Sequence, residues 1–188
     1  AAGIAAAVGR IEAAFGRLDA LVNNAGVAVF KAAVDTTIAE WQRVIDVNLT
    51  GPFQTTVAAV PLMERSGGGS VVNIASMMGM FGPDLSNYEG TEMGDLPPDY
   101  FFHNAGLINL TRFMAQMNAG KNIRFNCISP GGLFNHQPEA FLENYCRKVP
   151  LRRMANRDDI KGLVVLLCSD AGAYINGENI LLDGGLNA

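Results

Sequence analysis

The sequence predicts an α/β fold, a doubly wound parallel sheet with helices on both faces. Short apolar runs alternate with longer stretches of helical periodicity. Three of the runs, LDALV (18–22), VVNIA (71–75) and NILL (179–182), are continuous enough for strands buried on both faces. Each run also ends in small polar or turn-forming residues. Strands joined by helices of this length need right-handed crossovers, which make neighbouring strands parallel. In such sheets ligands bind beyond the carboxyl ends of the strands. The loops NNAG (23–26), the one at Ser76, and SPGG (129–132) should therefore line one crevice.

Taken in order, Ile4, Val8, Ile11 and Phe15 recur at helical spacing and predict one amphipathic helix ending near Gly16. Leu18 to Val22 is too short for a helix and reads as a strand, stopped by Asn23-Asn24-Ala25-Gly26. Asp35 to Thr37 can cap the next helix, with Glu40 in its first turn. That helix continues through Trp41, Val44, Ile45, Val47 and Leu49 to about Met63, with Gly51 and Pro52 marking an irregularity. Gly67, Gly68 and Gly69 turn into a strand over Ser70–Ala75. A polar excursion, FGPDLSNYEGTEMGDLPPD (81–99), leads to a helix over Tyr100–Asn118 with Leu107, Leu110, Phe113, Met114 and Met117 in phase. Asn122–Ile128 is the next strand, followed by a short helix over Glu139–Tyr145 and another over Arg157–Ser169 begun by Asn156. Asn179–Leu182 is the last strand, closed by Asp183-Gly184-Gly185.

Bulk properties narrow the function. A chain of 188 residues, 49% of them hydrophobic, forms one domain with a sizeable core. Fourteen Lys and Arg against 18 Asp and Glu, with no block of like charge, leave no footprint for a nucleic-acid backbone. No apolar run reaches the roughly 18 to 20 residues of a membrane span. Cys127, Cys146 and Cys168, odd in number and widely spaced, read as reduced thiols of a cytoplasmic protein. With only His103 and His136 and no metal-ligand spacing, no metal site is expected. The chain opens without a methionine and within a helical pattern, so it is expected to be a fragment.

Chemistry concentrates between Ser70 and Gly106. A buried strand delivers Ser76 to its carboxyl end, and a helix begins at Tyr100 with Asn104 one turn on. A hydroxyl at a strand end and a phenol at a helix start can face one crevice as an acid/base pair. A phenol with a pKa of about 10 is only about one part in a thousand ionised at pH 7, so it needs a nearby cation to act as a base.

These residues resemble the short-chain dehydrogenase/reductase family. Asn23-Asn24-Ala25-Gly26 is similar to its NNAG signature, and Val47-Asn48-Leu49-Thr50-Gly51 to its central-helix asparagine motif. Ser76 with Gly79 resembles the serine loop, Tyr100 with Ala105-Gly106 the YxxxK helix, and Pro130-Gly131 the loop under the nicotinamide; the final DGG also fits. The resemblance implies the carboxyl-terminal part of a single Rossmann-type domain, with the first three strands and the glycine-rich pyrophosphate turn absent. The NNAG strand would then lie at a raw edge of the sheet, exposing apolar side chains. It further implies NAD or NADP and the interconversion of a hydroxyl and a carbonyl on a small polar substrate. Tyr100 would be the acid/base, Ser76 the holder of the substrate oxygen, and Asn48 the support of a water-linked proton path. Asn24, Ala25, Gly26, Tyr100, Asn104, Pro130, Gly131, Leu133 and Asn135 would contact the cofactor. A homodimer or homotetramer through the helices that begin near Asp35 and Tyr100 is implied as well.

Two departures bear on activity. The family's lysine is replaced by Asn104, which carries no charge, so activity should be impaired. His103 would replace the cation only if protonated and turned inward, and its helix direction argues against that. Ser76 and Tyr100 also lie farther apart than the usual dozen residues, and Tyr88 falls at the usual distance. However, the apolar-periodic helix AGLINLTRFMA follows Tyr100, and Glu92 near Tyr88 would oppose its ionisation. Residues 80–99 then become an inserted lid or specificity loop. Its YEGT and QPEAF (137–141) resemble family members of bacterial surface-sugar and flagellin-glycan pathways. Asn104 leaves open a non-catalytic binding or assembly protein, and the missing cofactor turn leaves open a nonfunctional remnant. Asn48 and Ser76 have plainer alternatives, the first satisfying backbone groups at a helix irregularity and the second capping a turn.

Overall fold

A computed structural model describes residues 2–93 and 95–188. Four parallel strands, β1 (Ala20–Asn23), β2 (Gly69–Ile74), β3 (Ile123–Pro130) and β4 (Asn179–Leu182), lie side by side in chain order. Val22 stands beside Val72, Val72 beside Asn126, and Ile128 beside Ile180. Among the described residues six helices accompany the strands: α1 (Ala2–Phe15), α2 (Ile38–Ile45), α3 (Gly51–Arg65), α4 (Pro98–Met117), α5 (Glu139–Lys148) and α6 (Lys161–Cys168).

The two faces of β2 show why the run VVNIA is apolar throughout. Val71 packs with Ala59, Val60 and Met63 of α3, Met114 and Ala115 of α4, and Phe125 of β3. Its neighbour Val72 points the other way, to Ile128 and to Leu167 of α6. Successive strand residues alternate faces, so a strand covered on both sides needs no polar positions. The doubly wound expectation is met here. β1 lies at the edge, as the resemblance implies: among the described residues it has β2 on one side only, and Val22 is 41% exposed. The amphipathic helix expected over Ile4–Phe15 forms as α1, yet none of its described residues is buried. It lies on α3, with Glu12 paired to Arg65, and Phe15 remains open.

The expected long helix after Asp35 is three pieces. Thr37 caps α2 through a reciprocal box with Glu40, whose carboxylate accepts from the Thr37 N–H. Lys31 and the Thr37 donors hold that carboxyl down at about 2. A π-turn then spans Asp46–Thr50, with the Gly51 N–H reaching Asp46, before Pro52 opens α3. The helix expected from Arg157 begins only at Lys161. Asn156 does start the segment, but its Oδ1 accepts from the Asp158 N–H in a tight turn, and Asp159 is held by Arg153.

After β2, a 3-10 turn (Met77–Gly79) lies directly on α4: a Cβ on Gly79 would be 2.6 Å from the Asn104 carbonyl carbon and 2.7 Å from the Ala105 nitrogen. Gly79→Ala should therefore cost about 1–3 kcal/mol, as overpacking does. A lowered urea midpoint with an unchanged slope would show it, and an unchanged midpoint would refute the close contact.

Candidate active site

The carboxyl ends of β1, β2 and β3 open on one crevice of about 340 Å³. Asn24, Ala25 and Gly26 line it from the loop after β1, Asn48 from the π-turn, and Ser76 from the end of β2. Tyr100 and Asn104 enter from the first turns of α4, and Pro130, Gly131 and Leu133 from the end of β3 onward. Of the catalytic and cofactor-contact positions that the resemblance implies, Asn135 alone lies outside this lining; it is exposed and its N–H donates to Gln137 Oε1.

Underneath, polar side chains tie the strands together. Asn23 Nδ2 donates to Asn73 Oδ1 (2.8 Å) and to Thr56 Oγ1, and Asn73 Nδ2 donates to Thr111 Oγ1 (2.9 Å). All four residues are buried, so each bond prevents an unpaired polar group and fixes α3, β1, β2 and α4 together.

Asn48 is fully engaged. Its Oδ1 accepts from the Val27 N–H (2.9 Å) and its Nδ2 donates to the Val27 carbonyl (2.8 Å), a two-bond clamp on the loop after β1. Ser76 caps the 3-10 turn by accepting from the Met78 N–H (3.2 Å). Since that bond uses a lone pair, the hydroxyl proton stays available in the crevice. Asn104 donates through Nδ2 to the Tyr100 carbonyl (2.7 Å).

His103 corrects the expectation drawn from helix direction: it is buried, turned inward, and lines the crevice beside Asn104. Its ring meets the Tyr100 ring edge-on, centroids 5.4 Å apart. Burial pushes the imidazole below its ordinary pKa, which opposes a cation. Among the described residues no Asp, Glu, Lys or Arg side chain lines the crevice.

A second cavity, about 510 Å³, adjoins the first at Tyr100. Phe30, Met78, Tyr88, Met93 and Phe101 make it apolar, while Glu92 and Asp95 are its charged side chains. Tyr88 therefore sits in this second cavity, packed on Phe141 at 5.2 Å. Its phenol is raised, but by burial first, with Tyr100 and Asp84 adding less, and not by the Glu92 that the sequence suggests. The excursion carrying it is docked on α5. Lys148 donates to Asp84 Oδ2 (2.6 Å), Ser86 Oγ and Asn87 Oδ1 (2.7 Å), and Asn144 donates to the Glu89 carbonyl.

All three cysteines are free. Cys127 is buried in the sheet, which pushes its thiol up to about 12 and makes it a small apolar residue rather than a nucleophile.

A family model described as enoyl-(acyl carrier protein) reductase matches residues 1–187. The chain is also 34% identical over 184 residues to the 3-oxoacyl-(acyl-carrier-protein) reductase FabG of Thermotoga maritima, covering 95% of this chain and 70% of that protein. The chain belongs to the short-chain dehydrogenase/reductase family. It is thus an α/β protein of Rossmann type within a family of oxidoreductases. Two solved members superpose on nearly all of it. A short-chain dehydrogenase from Leptospira borgpetersenii, with bound NAD+, gives a TM-score of 0.90 at 35% identity over 98% of this chain and 71% of that one. A gluconate 5-dehydrogenase from Burkholderia cenocepacia, in complex with NADP and tartrate, gives 0.87 at 27% identity over 98% and 71%.

Sequence reasoning sets His103 aside and does not reach the Asn23–Asn73–Thr111 chain. The spacing of Asp99, His103, Leu107 and Thr111, four residues apart, was the available signal for the first.

Proposed function

We propose that this protein uses NAD or NADP to interconvert a hydroxyl and a carbonyl on a small, uncharged, hydroxyl-bearing substrate such as a sugar derivative. The observation that carries this reading is the position of Tyr100 on the wall shared by the crevice and the apolar cavity. A proton donor there serves a substrate in one cavity and a dinucleotide in the other.

The residues present fit the nicotinamide half of the cofactor. The small residues Asn24, Ala25 and Gly26 face Pro130 and Gly131 across a crevice without charged side chains, and the bound cofactor would supply or accept the hydride. Leu133 adds an apolar contact, and Asn135 would need to move inward to add its amide. Ser76 holds the substrate oxygen with its free hydroxyl proton, and Tyr100 gives that oxygen its proton in reduction and removes it in oxidation. Asn48 serves the site by clamping the loop after β1. With Asn104 at the lysine position, proton transfer is slowed.

Residues 80–99 act as the specificity wall, since Tyr88, Glu92, Met93 and Asp95 come from them. Two carboxylates, with no Lys or Arg facing them among the described residues, repel anionic substrates and accept hydrogen bonds from hydroxyls. Exposed Phe53 and Val57 on α3 with Phe102, Phe113 and Met117 on α4 support a homodimer or homotetramer through these helices. A monomer in sedimentation velocity of the intact protein would overturn that assembly. Three free thiols fit a reducing cytoplasm.

The test is titration of NADH and NADPH into the intact protein, then turnover with neutral keto sugars, their phosphorylated counterparts and simple ketones. Turnover favouring neutral keto sugars supports the reading. Binding without turnover supports a non-catalytic binding protein, the reading that the chargeless crevice favours. Absence of binding overturns both.

A further inference from the structure

The inner face of α4 carries a stripe at four-residue spacing, Asp99, His103, Leu107 and Thr111, all buried. The lower half is accounted for. Leu107 packs with Ala75, Ile108 and Cys127, and Thr111 accepts from Asn73 while donating to the Leu107 carbonyl. The upper half is a carboxyl and an imidazole, and each leaves one buried atom without a partner: Asp99 Oδ2 and His103 Nδ1. Buried polar atoms are rarely left so.

The other imidazole nitrogen determines what Nδ1 carries. His103 Nε2 lies 3.2 Å from Asn48 Nδ2 and 3.1 Å from Asn104 Nδ2. The orientation of both amides follows from backbone atoms. Asn48 faces both the N–H and the carbonyl of Val27, and Asn104 faces the Tyr100 carbonyl. Both Nδ2 groups are thus donors, Nε2 is their common acceptor, and the proton of the neutral ring sits on Nδ1. Helical side chains lean toward the amino end, so that N–H is carried toward the turn of Asp99, whose backbone faces the ring and whose Oδ2 is unpartnered.

We propose that Asp99 and His103 form one buried acceptor–donor unit, closed through a single water, that positions the amides of Asn48 and Asn104 beside Tyr100. His103 is a positioning residue. It uses the second Nδ2 hydrogen of Asn104, whose first goes to the Tyr100 carbonyl, and so leaves Oδ1 as the group Asn104 offers the crevice. Where lysine presents a charged donor, this protein presents an acceptor, suited to a ribose hydroxyl that donates. This rests on the dinucleotide reading of the crevice for its ligand, but not for its tautomer. The titratable groups around the imidazole are Asp99 and Tyr100 on its own helix; the π-turn contributes neutral Asn48, and the rest of the crevice lining contributes none. Burial raises the Asp99 carboxyl and lowers His103, as expected of groups sharing one desolvated face.

Long-range 15N–1H NMR of the intact wild-type protein at pH 7 should show His103 neutral with its proton on Nδ1, and a proton on Nε2 would overturn the proposal. His103→Phe keeps the ring and removes the acceptor; it should weaken dinucleotide binding about tenfold, the loss expected for one or two neutral hydrogen bonds. His103→Gln, whose Oε1 can accept from the two amides, should recover most of that loss. Equal dinucleotide affinity in wild type and both variants would refute the positioning role. If the Phe variant does not fold, the wild-type tautomer and the Gln variant still decide the matter. A wild-type protein that binds neither NADH nor NADPH overturns the crevice reading, while the tautomer measurement still judges the Asp99–His103 unit.

Discussion

Tyr100→Phe should lower turnover by about 10²- to 10⁴-fold, the range general acid/base assistance supplies, while dinucleotide affinity changes little. The substitution removes one oxygen and keeps the ring that meets His103 edge-on, so the fold and the crevice wall survive. Tyr88→Phe is the matched comparison. Its hydroxyl belongs to the apolar cavity and not to the crevice, so it should alter substrate KM and leave kcat within about threefold, as loss of one neutral hydrogen bond at most does. Steady-state kinetics on the intact protein separates the two. A loss in Tyr88→Phe as large as that in Tyr100→Phe would move the acid/base role to the excursion.

Asn104→Lys should raise turnover on the order of 10²-fold. A unit charge about 4 Å from a phenolate, at an effective dielectric near 20, favours ionisation by about 4 kcal/mol, or roughly three pKa units. Desolvation of the ammonium in a buried position offsets part of this. The local bonding can be kept, because an ammonium has three donors and needs two, for the Tyr100 carbonyl and for His103 Nε2. Unchanged turnover would show that the asparagine is not what limits the reaction.

The stability of the wild-type protein carries a related pH signature. A histidine whose folded pKa is lowered binds fewer protons folded than unfolded below about pH 6.5. Its contribution is complete above that value and is lost as pH falls toward the folded pKa. His103→Gln should flatten this part of a plot of unfolding free energy against pH.

Much of this was legible in the residues. Val71 and Val72 are both apolar because each faces a different layer of helices, and that requirement is local enough to read from four letters. The loops after β1, β2 and β3 meet because parallel strands place their carboxyl ends together, so a crevice follows from topology alone. Other features depend on distant partners. The bareness of α1 reflects which elements cover it, which composition cannot tell. The orientation of His103 depends on two amides, one from its neighbour Asn104 and one from Asn48, 55 residues away. The delayed start of α6 comes from a side-chain turn at Asn156 that competes with helix for the same donors.

The contact of Gly79 with the backbone at Asn104–Ala105 has a consequence for lineage. It holds the residues flanking the excursion against one another, so the placement of Ser76 and Tyr100 does not depend on how much chain lies between them. Doubling a loop's length adds only about 0.6 kcal/mol of closure entropy, and the excursion is moored to α5 by Lys148 and Asn144 rather than to the crevice. Insertions and deletions between positions 80 and 96 therefore carry little penalty for the placement of Ser76 and Tyr100, and each one reshapes the neighbouring cavity. On the function proposed above, substrate range can drift in descendants of this chain while the reaction stays the same.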